Sequence, residues 1–100
     1  MIEISATKKL NYLDDAISFM KSLLSSGRKE SARSIKKRLL EVCRLGIESG
    51  DLIPAGQTKN MFQMHISSTP SDGPNHPGYR ITMIIMEKHV LVTTIQTEYC

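Results

Sequence analysis

GYRITMIIMEKHVLVTTIQTEYC, residues 78–100, decides the fold. Two apolar, β-branched runs flank the short polar break Glu87-Lys88-His89, which is the signature of a β-hairpin. If the second run alternates, Thr94, Gln96 and Glu98 fall on one side of the sheet, and Arg80 on the preceding run can face the same way. A guanidinium and a carboxylate on an otherwise apolar sheet point to a site rather than a core.

Upstream of the hairpin, Met61–Ser67 also alternates, with Phe62, Met64 and Ile66 on one face and Gln63 and His65 on the other. Ser68–Gly78 (STPSDGPNHPG) separates these strands, and its three prolines and two glycines oppose regular structure. The loop is long for a hairpin connection, and such loops are often functional. Earlier still, Leu13, Ala16, Ile17, Met20, Leu23 and Leu24 recur at helical spacing, with Thr7 or Asn11 available as a cap. Ser25-Ser26-Gly27 breaks the chain before a second helix from about Lys29 to about Ser49. Ala32, Ile35, Leu39, Val42, Cys43 and Gly46 form its buried line, and Gly50 is its expected C-cap. Asp51–Asn60 reads as a loop, and Met1–Ser5 as a short first strand. The expected fold is α+β in the order β-α-α-β-β-β: a two-helix hairpin packed on a mostly antiparallel four-stranded sheet, with residues 1–100 in one domain.

Composition narrows the functional class. Forty per cent hydrophobic residues with mixed charge describe a folded chain. No apolar run approaches the roughly 20 residues of a membrane span, and MIEISATKK lacks the apolar core of a secretory signal. Cys43 and Cys100 match no metal or redox spacing, so Cys43 reads as core, Cys100 as a free thiol, and the site of action as reducing and cytoplasmic. Net charge is +3, but seven basic residues against two acidic ones concentrate in Arg28–Arg44. Such a basic face, including Lys36 and Lys37, suits a phosphate backbone or an acidic protein. No interleaved aromatic–basic platform and no glycine-rich phosphate loop is present.

The sheet face away from the helices is expected to carry Gln63 and His65, then Arg80 and Thr82, then Thr94, Gln96 and Glu98. RNA cleavage by 2′-OH attack needs a base for the 2′ proton, an acid for the leaving 5′ oxygen and a cation for the phosphate. Glu98 as base, His65 as acid and Arg80 as phosphate clamp would supply these, and the chemistry calls for no metal and no cofactor. A solvated strand histidine and a solvated terminal glutamate are the ordinary alternatives. His76 in the long loop reads as either a solvent-facing residue, the favoured reading, or a catalytic one, and His89 as a structural turn residue.

Taken in order, these segments resemble the RelE/ParE toxin superfamily, of the barnase/EndoU/colicin/RelE-like fold. The likeness runs through MIEISAT and the helix after it, RKESARSIKKRLLEV, Leu52–Gly56, MFQMHIS and GYRITMIIMEKHVLVTTI, with Gly78-Tyr79-Arg80 its most recognisable point. The resemblance implies a toxin-type, metal-independent endoribonuclease acting on mRNA or tRNA, held by a cognate antitoxin or immunity protein. It places Arg80 at a phosphate-contacting position; the expected substrate contacts, Gln63, Thr82, Thr94 and Gln96 on the same sheet face and Lys36 and Lys37 on the basic helix, come from the strand alternation and the charge pattern. The strand that bears paired lysines in the ribosome-dependent nucleases has Gln63 and His65 here, and their basic-plus-tyrosine C-terminal segment is absent. The alternatives are a ParE-like, non-enzymatic gyrase poison and an inactive relative that binds nucleic acid or protein.

Overall fold

The structure, a computed structural model, describes residues 7–56 and 59–98. Five strands form one sheet: β1 (Lys9–Tyr12), β2 (Ile53–Pro54), β3 (Met61–Ile66), β4 (Tyr79–Ile85) and β5 (His89–Thr97), in the spatial order β1-β5-β4-β3-β2. Helices α1 (Asp14–Ser25) and α2 (Lys29–Leu45) follow β1 and cover one face. The β4–β5, β3–β4 and β2–β3 pairs are antiparallel, and β1 lies parallel to β5.

The architecture is α+β, with one strand more than the four expected. The extra strand, β2, is two residues long and pairs Ile53 with Gln63 and Pro54 with Phe62. The expected first strand, Met1–Ser5, lies outside the described residues. A strand forms instead at Lys9–Tyr12, so Asn11 sits within β1 and caps nothing. Leu13 occupies the N-cap of α1, and its N–H donates to Val92 O at 2.9 Å. Asp14 and Asp15 in the first turn supply the negative charge that a helix N-terminus favours. Helix α2 stops at Leu45 and continues as a 3₁₀ turn over Gly46–Ser49; the C-cap is Gly46, not Gly50. The long loop likewise holds one 3₁₀ turn, Pro70–Asp72, and His89 is the first residue of β5 rather than part of the turn.

Alternation in the strands builds the core. Phe62, Met64 and Ile66 on β3 pair laterally with Met83, Ile81 and Tyr79 on β4. On β5, Val90, Val92 and Ile95 continue the same layer beneath Ala16, Leu23, Ala32, Ile35, Leu39 and Val42 of the helices. Val92 and Ile95 are three residues apart, which a strict two-residue period forbids. A β-bulge resolves the mismatch: Thr82 pairs with Thr94 while Met83 pairs with Val92, which leaves Thr93 unpaired in the ladder. The Thr93 hydroxyl donates to Thr82 O at 3.1 Å. Beyond the bulge Thr94, Gln96 and Glu98 are directed to the face that the helices leave open.

A buried polar cluster ties the long loop to α2. The Asp72 carboxylate accepts from the Ser31 hydroxyl at 2.6 Å, from the Thr69 N–H at 2.8 Å and from the Tyr79 hydroxyl. Its side chain is fully shielded from solvent, and Arg28 Nε lies 3.9 Å away. The Tyr79 ring packs edge-on against Phe19, with centroids 5.8 Å apart. The loop between β3 and β4 is therefore fastened both to the start of α2, through Ser31, and to the first residue of β4, Tyr79.

Candidate active site

The open face of the sheet carries two lateral rows of polar side chains. His65, Arg80 and Gln96 are direct register partners across β3, β4 and β5. Gln63, Thr82 and Thr94 form the next row. Side chains in direct register stand about 5 Å apart, so each row forms a contiguous strip. Within the second row, Gln63 Nε2 donates to Thr82 Oγ1 at 3.2 Å.

Glu98 sits just beyond Gln96 at the end of β5 and closes the first row. Its backbone N–H donates to Gly78 O at 2.9 Å, which fixes the carboxylate beside Arg80. Arg80 Nη2 donates to Glu98 Oε1 at 2.8 Å, and His65 Nδ1 lies 3.9 Å from the same oxygen. Both contacts fall on Oε1, which among the described residues leaves Oε2 to meet a substrate proton. The His65 and Arg80 side chains are 49% and 42% exposed, and Glu98 is 21% exposed. All three can therefore be reached from solvent without any rearrangement of the fold. Among the described residues, the hydrogen bond to Glu98 uses one of the five N–H donors of Arg80 and leaves an edge of the guanidinium for an anion.

Lys36 and Lys37 do not join this cluster. Both are exposed on α2, in the helical layer that covers the opposite face of the sheet. Lys36 instead rims a groove between the helices of about 350 Å³, whose other lining includes Tyr12, Ile17, Met20, Leu24 and Arg33. Ile17 and Leu24, members of the apolar stripe of α1, are exposed there. His76 is anchored rather than free: its Nδ1 accepts the Gly78 N–H at 3.0 Å, and its ring lies 4.9 Å from that of Tyr79. His89 is remote in register from the trio, at the far end of β5, and Cys43 is buried, with its thiol pKa pushed up by burial against a weaker lowering by Lys8. Among the described residues, no group of three or more His, Cys, Asp or Glu side chains is placed to hold a metal ion, and no helix is long and apolar enough to cross a membrane.

Sequence reasoning missed Asp72 and Gly78. The first was hidden because a loop aspartate ordinarily faces water. The second carried a signal only as part of Gly78-Tyr79-Arg80.

No protein-family model matches the sequence, and no curated protein sequence matches it. Solved structures do match it in fold. The YoeB dimer of Staphylococcus aureus superposes with a TM-score of 0.70 at 15% identity, over 94% of this chain and 100% of that one. The intact RelBE toxin–antitoxin complex of E. coli gives 0.62 at 20% identity, over 93% and 99% of the two chains. The chromosomal ParDE toxin–antitoxin system of P. aeruginosa gives 0.60 at 7% identity, over 93% and 98%. The likeness covers 93–94% of this chain and is one of fold, the fold that the YoeB, RelBE and ParDE structures share.

Proposed function

We propose that this chain is a toxin-type endoribonuclease that cleaves mRNA or tRNA through its own side chains. The observation that carries the reading is the convergence of His65, Arg80 and Glu98 on one open sheet face, with Glu98 Oε1 2.8 Å from Arg80 Nη2 and 3.9 Å from His65 Nδ1. Glu98 Oε2 takes the proton of the attacking 2′-OH, and the new bond forms between the 2′ oxygen and phosphorus. Arg80 steadies the charge that builds on the non-bridging oxygens. His65 acts as the general acid and gives a proton to the leaving 5′ oxygen as the P–O5′ bond breaks. The products are a 2′,3′-cyclic phosphate and a 5′-hydroxyl end. Gln63, Thr82, Thr94 and Gln96 line the same face and are suited to hold the nucleotides on either side of the cut.

The partner of the toxin is a protein inhibitor, as in the RelBE and ParDE toxin–antitoxin structures that share this fold. The groove between α1 and α2 suits its docking. Its floor is apolar (Ile17, Met20, Leu24) and its rim carries Lys21, Arg33 and Lys36, with no acidic residue among the described residues that line it. An acidic amphipathic helix matches both properties, whereas a second copy of this chain would bring like charges together.

Expression of the toxin should arrest growth, and Arg80→Ala or His65→Ala should abolish the arrest while the protein remains folded. Folded variants that stay toxic would refute the site. Arrest with intact RNA and a DNA-damage response would favour a ParE-like, gyrase-directed reading, which the shared fold of the ParDE system supports.

A further inference from the structure

We infer that Gly78 is a positioning residue of the active site: its missing side chain forms the seat on which the His65 imidazole lies beside Glu98. The inference rests on the nuclease reading for its functional consequence, though its geometry stands apart from it. Gly78 is buried, with a φ of +93°. A Cβ added there would fall 2.9 Å from His65 Cε1 and 3.0 Å from His65 Nε2, closer than carbon atoms pack. It would also fall 2.5 Å from Ile66 O. The Cε1–Nε2 edge of the ring thus rests against the glycine, which leaves Nδ1 on the side facing Glu98 Oε1.

The same residue holds the other half of the pair. Gly78 O accepts the Glu98 N–H at 2.9 Å, so the strand end that bears the carboxylate is pinned to the strand start that seats the imidazole. Gly78 N–H is itself engaged by His76 Nδ1 at 3.0 Å. The ring of His76 is in turn braced against Tyr79, which hydrogen-bonds Asp72. One residue therefore sets the relation between acid and base, and the fastened loop sets that residue. A displacement of reacting groups by about 1 Å can cost on the order of 100-fold in rate, and a methyl group at position 78 forces a shift of that order on the imidazole or on the backbone.

The wild-type protein gives the first test. Gly78 Hα protons should show nuclear Overhauser contacts to His65 Hε1, and absence of these contacts overturns the inference whatever the variants do. Gly78→Ala should then shift the His65 imidazole and Glu98 amide resonances. RNA cleavage per folded molecule should fall about 100-fold. Gly27→Ala is the control for backbone strain: its φ is +80°, similar to that of Gly78, but among the described residues no atom beyond its own chain neighbours lies within 4 Å of an added Cβ. It should lose some thermal stability with the His65 signals and the cleavage rate unchanged. Equal effects of the two variants on His65, or a folded Gly78→Ala protein with unaltered His65 signals, would show that position 78 serves the backbone alone. If the His65 signals move but the wild type cleaves no RNA, the seat stands and the nuclease reading falls.

Discussion

Arg80 and Glu98 meet at 2.8 Å at the open end of the sheet, between strands that already pair through their backbones. The ladder holds these strands without the ion pair, and both side chains reach solvent. An exposed pair of this kind contributes about 0–1 kcal/mol. Arg80→Ala should therefore melt within a few degrees of the wild type. Its cleavage rate should fall about 100- to 1,000-fold, because a cation aimed at the developing charge is lost. Thermal unfolding followed by circular dichroism, beside a cleavage assay on the same preparation, checks both halves.

Asp72 should behave in the opposite way. Burial would raise its pKa, but the hydrogen bonds from Ser31, Tyr79 and the Thr69 N–H outweigh it, with help from His76, and hold the carboxyl below its ordinary range. The folded-state pKa therefore lies below the unfolded one. The stabilisation is fully present above about pH 4, where the unfolded carboxylate titrates, and is lost as pH falls through the folded-state value. Asp72→Asn should cost about 2–4 kcal/mol at pH 7 by leaving donors without a charged acceptor. It should also flatten the decline in stability below pH 4, as urea unfolding across that range would show.

Tyr79→Phe tests the same cluster from the strand side. The edge contact with Phe19 is kept, and only the hydroxyl is removed from Asp72. The expected loss is about 1–3 kcal/mol, since a hydrogen bond to a buried charge is broken. Burial, and then the bond to Asp72, raises the phenol pKa. The tyrosine spectrum of the folded protein should retain a protonated population to higher pH than that of the unfolded chain.

Lys36 and Lys37 lie on the helical layer, across the sheet from the candidate site. The double reversal Lys36→Glu with Lys37→Glu should leave cleavage of a short oligonucleotide within about threefold at physiological salt, where distant exposed charges are screened. A loss as large as that of Arg80→Ala would bring α2 into the active site and contradict the placement.

Much of this was legible in the sequence because the periods were clean. Phe62, Met64 and Ile66 against Gln63 and His65 gave the two faces of β3, and Arg80 and Thr82 gave the open face of β4. On β5 the alternation was right beyond Thr93, but the sequence VLVTTIQT carries no mark of the bulge that makes it so. Strand β2 was missed because Ile53-Pro54 is too short to show a period and contains a proline, which strands tolerate at their edges. Helical spacing identified the apolar stripe of α1 correctly but could not tell what covers it: Ala16 and Leu23 are buried, while Leu13, Ile17 and Leu24 are exposed. The Asp72 cluster joins Ser31 to residues 38 to 48 positions downstream, and only the folded backbone reveals that proximity.

The most direct measurement is to incubate the purified protein with total tRNA and with translating ribosomes, then map the new 5′ ends and identify the 3′ termini. The account predicts discrete cuts with 5′-hydroxyl and 2′,3′-cyclic phosphate ends, blocked by 2′-O-methylation at the cut site and absent with His65→Ala, Arg80→Ala and Glu98→Gln. Cleavage that survives 2′-O-methylation, or that proceeds undiminished in those three variants, would contradict it.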